Sequence, residues 1–197
     1  MIMELILMRH GQTPGNALRR YIGRTDEPLT ADGRAAAKQA GTDLSARVVY
    51  VSPMLRAVQT ARICFPNAEQ ILCEGLREMD FGDFENRSAD DMVNDAAYRE
   101  WVDGHCEGRC PNGEIKADFD SRVCAAFERI ARGFEGERLI IVAHGGTIMS
   151  VMSAFAEEKR PFYRWYVPNC GIYRAELTVF PDSMLISDCE LLDRLPD

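Results

Sequence analysis

The sequence predicts an α/β fold with three layers, α/β/α, around a mostly parallel central sheet. Three observations predict it. Short aliphatic and β-branched runs at 3–8, 47–51 and 139–142 each lead through a Gly- or Pro-bearing turn into a stretch with helical spacing. These runs are nearly continuous in apolar character, as strands covered on both faces are. Two later runs, near 172–179 and 184–191, are parted by Pro181-Asp182-Ser183 and read as a hairpin that adds antiparallel pairing.

Taken in order, the run 3–8 ends at Arg9-His10-Gly11, and Thr13-Pro14 opens a helix with Thr as N-cap and Pro in its first turn. Thr30 opens a second helix over 31–44. Ser52-Pro53 after the strand 47–51 reads as another cap-plus-proline start, with a helix to Cys64. A short third strand is expected at 69–73, irregular chain over 74–94, a helix over 95–103 and a loop over 104–115. The stretch 116–132 places Phe119, Val123, Phe127 and Ile130 on one side of a helix. Leu139-Ile140-Ile141-Val142 leads into Ala143-His144-Gly145-Gly146 and a helix to Glu157. No internal repeat or composition break divides the chain, so one domain spanning 1–197 is expected.

Composition narrows the function. The chain has 197 residues, 46% hydrophobic and 27% charged, enough for a sizeable core. A net charge of −8 argues against general binding to nucleic acid or to an anionic membrane, while leaving room for a small anionic substrate. Glu4 interrupts the first apolar run and no basic leader precedes it, so a cytoplasmic protein is expected. Its seven cysteines are scattered and odd in number, which suits reduced thiols. His105-Cys106 and Cys110 lack a matching second pair of ligands, so no metal site is expected there.

Two of the three histidines, His10 and His144, directly follow strand candidates and directly precede glycine. Ligands bind at the carboxyl ends of strands in open α/β sheets. If the two strands are neighbours, the imidazoles face one another. The Gly145-Gly146 pair opens a helix whose N-terminal amides favour an anion. Arg9 beside His10, and Arg56 in the first turn after another strand, can each fork two N–H groups onto phosphate oxygens.

These residues resemble the histidine phosphatase superfamily, which includes the cofactor-dependent phosphoglycerate mutases. Leu7-Met8-Arg9-His10-Gly11-Gln12-Thr13 with Asn16 is similar to its first signature, and Ser52-Pro53-Met54-Leu55-Arg56 through Ala61 to its second. Leu76-Arg77-Glu78-Met79-Asp80-Phe81-Gly82 resembles the acid-bearing loop, and Val142 to Gly146 the second histidine. The resemblance implies a phosphoglycerate mutase-like fold and a phosphohistidine formed on His10. It implies that Arg9, Arg56, His144 and Asn16, with Gly23 and Gly145, hold the phosphoryl group, that Glu78 is the proton donor, and that neither cofactor nor metal is used.

A finer likeness, in Tyr21 to Thr30, Met79 to Glu85 and Pro111 to Glu114, is to α-ribazole phosphatases of cobalamin assembly. Phe84, Asn86 and Ile115 depart from that pattern. Residues 84–115 carry only Arg87, Arg99 and Arg109 as cations, which suits hydrolysis better than a mutase's grip on a carboxylate. A phosphoglycerate mutase, a sugar-phosphate phosphatase and a catalytically silent phosphate-binding module are the other readings. Among Tyr21, Phe84 and Trp101, which could stack on a nucleoside-like group, core packing is expected for at least two.

Overall fold

A computed structural model describes residues 1–196. Its six strands form one sheet: β1 (Ile2–Arg9), β2 (Val48–Val51), β3 (Glu69–Leu72), β4 (Arg138–Ala143), β5 (Ile172–Val179) and β6 (Met184–Leu192), in the spatial order β3-β2-β4-β1-β5-β6. The first four are mutually parallel, β5 runs antiparallel to β1, and β6 pairs with β5 as the expected hairpin.

β1 lies between β4 and β5, and its alternate residues enter two separate cores. Met3, Leu5 and Leu7 face one side with Leu139, Ile141 and Ala143 of β4; Ile6 and Met8 face the other with Ile140 and Val142. The first side is covered by α5 (Lys116–Gly133) and α6 (Gly145–Phe155), the second by α2 (Ala31–Gln39) and α3 (Leu55–Cys64). Each covering helix has a sequence reason. In α5, Phe119, Val123, Ala126, Phe127, Ile130 and Ala131 recur at helical spacing and are buried. In α3 the buried face is Arg56, Ala57, Thr60, Ala61 and Cys64, mostly small residues that bring the helix close to the sheet.

Two short helices complete the set, α1 (Pro14–Ala17), capped by Thr13, and α4 (Ala96–Asp103), capped by Asp95. Several elements differ from expectation. α2 stops at Gln39 because Gly41 takes a φ of +108°, which ends the helix well before residue 44. α3 begins only at Leu55, with no side-chain cap, because the Ser52 hydroxyl is engaged by His144. The irregular chain after β3 contains three 3₁₀ turns, at Glu74–Leu76, Gly82–Phe84 and Asp90–Met92. A further 3₁₀ turn at Phe162–Trp165, which no pattern in the sequence marks, folds the chain between α6 and β5 back over the edge where the histidines lie. The fully buried Trp165 anchors it.

Arg122 of α5 braces the acid-bearing loop from below. Its guanidinium is paired with Glu114 at 2.9 Å and donates to the carbonyls of Gly75 and Arg77, both at 3.1 Å. That loop reaches the site on the carbonyl groups of its own backbone and on one cation.

Candidate active site

The three adjacent parallel strands β2, β4 and β1 deliver the site. Their register pairs Val51 with Val142 and Arg9 with Ala143. The next residues along, Ser52, His144 and His10, therefore leave the sheet side by side. The His10 and His144 rings meet edge to face, 5.1 Å between centroids, and both are buried. The strand-end placement inferred from sequence thus has a geometric cause in the sheet register.

His10 Nδ1 lies 2.7 Å from the Gly11 carbonyl oxygen. A carbonyl only accepts, so Nδ1 carries the proton and Nε2 keeps its lone pair. Burial, and then Arg56 and Arg9 nearby, hold the His10 pKa well below the usual imidazole range. The ring is a neutral base with its nucleophilic nitrogen free.

His144 is fixed differently. Arg56 Nε donates to its Nδ1 at 3.2 Å, so the proton sits on Nε2, which donates to Ser52 Oγ at 2.7 Å. Burial and Arg56 hold its pKa well below the ordinary value too. With both nitrogens engaged, His144 orients Arg56 and packs against His10.

Arg56 is fully buried and gives its guanidinium to backbone carbonyls, Thr25 and Gly23 at 2.8 Å each and Ile22 at 3.4 Å. Arg9 donates from Nη1 to the Val167 carbonyl at 2.8 Å, while its buried Nε has no partner among the described residues. An orphaned guanidinium donor is costly in a folded interior unless a ligand takes it. Asn16 completes the α1 capping box, and its Oδ1 accepts from the Asn169 amide, which also donates to the His10 carbonyl. Asn16 also lines the cavity described below, as does Gly145. Gly23 does not, since its N–H is committed to Glu85 and its carbonyl to Arg56.

Glu78 approaches from the acid-bearing loop. Its carboxylate accepts from the Met79 amide at 3.0 Å and from the Gly146 amide, in the first turn of α6, at 2.9 Å. Burial raises its pKa above the usual carboxylate range, although those two amides, Arg56 and Arg9 pull the other way. A Cβ at Gly146 would strike the Glu78 carboxylate. The Gly146→Ala substitution is therefore expected to displace Glu78 and to lower kcat/KM for phosphomonoesters by about tenfold or more, since positioned acids contribute at least that much. Steady-state kinetics beside a thermal melt would separate this from a loss of fold.

Arg9, Asn16, Glu78, Gly145 and Gly146 form the polar end of a cavity of about 290 Å³; His10, His144 and Arg56 are buried and do not line it. Much of the rest of its wall is aromatic, with Tyr21, Trp101, Phe119, Phe162, Tyr163 and Tyr166. Phe84 is not among them: it is core, packed on Tyr98 and Trp101. Lys116 and Arg20 add cations to the wall. Lys116 stands one residue beyond the cation-poor stretch 84–115, and is held 2.5 Å from Asp120 and 4.2 Å from the Phe162 ring centroid. In the loop expected to bind no metal, His105 is exposed and bonded to the Asp103 carbonyl, Cys106 lies on the cavity wall and Cys110 is buried.

Sequence reasoning misses Ser52 as a partner of His144, and Asn169 and Val167 altogether. Ser52 has the look of a cap because it precedes proline. The other two act through a backbone carbonyl and a carboxamide in a segment with no periodicity to mark it.

The family model described as "Histidine phosphatase superfamily (branch 1)" matches residues 5–179. The chain is 34% identical over 193 residues to "Probable phosphoglycerate mutase GpmB" of Enterobacter sp. (strain 638), covering 91% of this chain and 87% of that one. A phosphoglycerate mutase structure from Thermus thermophilus matches with a TM-score of 0.70 at 30% identity, over 93% of this chain and 96% of that one. The alpha-ribazole phosphatase from Shigella flexneri matches with a TM-score of 0.81 at 24% identity, over 99% of both chains, a likeness of fold.

Proposed function

The chain belongs to the histidine phosphatase superfamily, and from that premise we propose that it hydrolyses small phosphomonoesters through a phosphohistidine on His10. One observation carries the reading: the His10 proton is pinned on Nδ1 by the Gly11 carbonyl, which leaves Nε2 as a lone-pair donor in a site where Arg9 keeps an unpaired N–H.

In the first step Nε2 of His10 forms a bond to phosphorus while the ester P–O bond breaks. Glu78, whose burial favours the protonated form, gives its proton to the departing oxygen. Arg9, the Asn16 amide and the Gly145 amide take the equatorial oxygens, with the Arg56 charge behind them, its guanidinium oriented by His144. In the second step water attacks phosphorus, Glu78 receives its proton, the N–P bond breaks and inorganic phosphate leaves. Protein cations fill the role that Mg²⁺ fills in other phosphoryl transfers, so the reaction needs no metal.

The aromatic wall suits a flat leaving group, and α-ribazole 5'-phosphate, with its fused aromatic base, is the substrate we favour; cobalamin assembly is then its pathway. Exposed Tyr163 and Tyr166 mark the mouth through which water reaches the phosphoenzyme. The mutase reading draws on Lys116 and Arg20, two wall cations that could take a substrate carboxylate. Among the described residues no helix is long and apolar enough to cross a membrane, and we place the protein in the cytoplasm, where its seven cysteines would stay reduced.

A panel of phosphomonoesters in EDTA tests this. Turnover of p-nitrophenyl phosphate with α-ribazole phosphate ranked highest by kcat/KM is expected. Isomerisation of 3-phosphoglycerate after priming with 2,3-bisphosphoglycerate would favour the mutase, a sugar phosphate ranked first would move the substrate there, and phosphate binding with no turnover would leave a silent module.

A further inference from the structure

Glu85 lies outside the set of residues that face the cavity, yet its carboxylate is the most heavily bonded acidic group in this part of the molecule. Oε1 accepts from the amides of Gly23 and Arg24, both at 2.9 Å, and of Phe81 at 3.2 Å. Oε2 accepts from the Thr25 hydroxyl at 2.6 Å and the Thr25 amide at 3.3 Å. Four of these five donors belong to residues 23–25, the segment whose other polar edge serves Arg56. The carbonyls of Ile22, Gly23 and Thr25 all accept from the Arg56 guanidinium. The peptide groups of this loop thus point N–H groups at a carboxylate and C=O groups at a buried cation.

A second link runs through the same carboxylate. Phe81 belongs to the loop that carries Glu78, and a Cβ at Gly23 would collide with the Met79 carbonyl and with Glu85 Oε1. The loop that holds Arg56 and the loop that holds Glu78 are in contact at that glycine. Segments 20–21 and 85–88 are zipped beside it, with the Asn86 amide on the Tyr21 carbonyl at 2.8 Å and the Tyr21 amide on the Arg87 carbonyl at 3.0 Å.

We propose that Glu85 is the positioning residue for Arg56, acting through the backbone of residues 23–25 to hold its guanidinium charge behind the phosphoryl site and to keep that loop in register with the loop bearing Glu78. The assignment rests on the phosphatase reading above. Five donors on one carboxylate fix the loop far more tightly than a turn of this length fixes itself. Glutamine replaces it poorly: it has one acceptor oxygen where these donors meet two, and its NH₂ would face the Thr25 amide.

The test is a double-mutant cycle of Glu85→Gln with Arg56→Lys, read by calorimetric binding of inorganic phosphate and by kcat/KM on p-nitrophenyl phosphate. In the wild-type background Glu85→Gln is expected to weaken phosphate and lower kcat/KM by about ten- to a hundredfold, the range seen for partners that orient a ligating group. In the Arg56→Lys background, where no fork remains for the loop carbonyls to hold, the further loss should fall to within about twofold, the margin of ordinary additivity. An equal loss in both backgrounds overturns the proposal and leaves Glu85 a brace for the fold alone. Should Glu85→Gln fail to fold, Thr25→Val removes one of the five donors and repeats the cycle on a smaller scale; absence of coupling there overturns it equally. Failure of the phosphatase reading looks different, as a wild-type protein that turns over no ester while phosphate binding still shows the coupling.

Discussion

Replacing His10 with alanine is expected to abolish both turnover and the acid-labile phosphoenzyme, with a loss in kcat of about 10⁴- to 10⁶-fold, the scale on which nucleophile deletions fall. The two losses should come together because one nitrogen serves both. Rapid quench with a ³²P-labelled ester, followed by acid and base treatment of the trapped protein, reads the N–P bond directly. Labelling that persists in His10→Ala would move the nucleophile elsewhere and end the proposed mechanism. Folding should survive the change, since the Asn169 and Ala143 contacts to His10 are made with its backbone carbonyl and amide.

The second large effect concerns Glu78→Gln. A positioned general acid contributes about 10²- to 10⁴-fold, and the loss should be of that size for alkyl phosphates such as α-ribazole phosphate. With p-nitrophenyl phosphate, whose leaving oxygen needs little protonation, the first step should fall by less than about tenfold. Equal losses on both substrates would contradict the donor role. The pH dependence follows from the same group. Burial raises the Glu78 pKa, so the protonated donor persists toward neutrality and activity falls as pH rises through that value. Glu78→Gln should erase this alkaline limb. His10 is held low, so the nucleophile stays unprotonated into acid and the opposite limb appears only as pH falls toward its lowered pKa. Stability has the matching signs. The native state binds the Glu78 proton more tightly than the unfolded chain does, so that contribution is present below the ordinary carboxylate range and lost as pH rises toward the raised value. For His10 and His144 the contribution is present above the ordinary imidazole range and lost as pH falls toward their lowered values.

Much of this is legible from residues alone where one interaction dominates. Apolar runs of strand length locate β1 and β4, and the strand–His–Gly pattern puts His10 and His144 at the carboxyl edge. What periodicity does not carry is register. That Arg9 pairs with Ala143, and so brings two imidazoles to 5.1 Å, is set by the whole sheet. The start of the helix after β2 differs from expectation because a Ser-Pro pair is a good cap in isolation, and here a buried histidine competes for the hydroxyl. The roles of Asn169, Val167 and Glu85 are invisible for another reason. Val167 acts through its own carbonyl, and Asn169 and Glu85 bond mostly to backbone groups of distant loops, which nearly every residue has, so nothing in the sequence names their partners until the loops are folded.

The segment that folds back between α6 and β5 has a consequence during synthesis. Asn169 supplies the tie between His10 and Asn16, the Cys170 amide donates to the Arg9 carbonyl at 3.1 Å, and β5 is the other flank of β1. A nascent chain has both histidines, both arginines and the acid well before it has residue 169. Until β5 docks, β1 has one unpaired edge and the His10 carbonyl lacks its Asn169 partner.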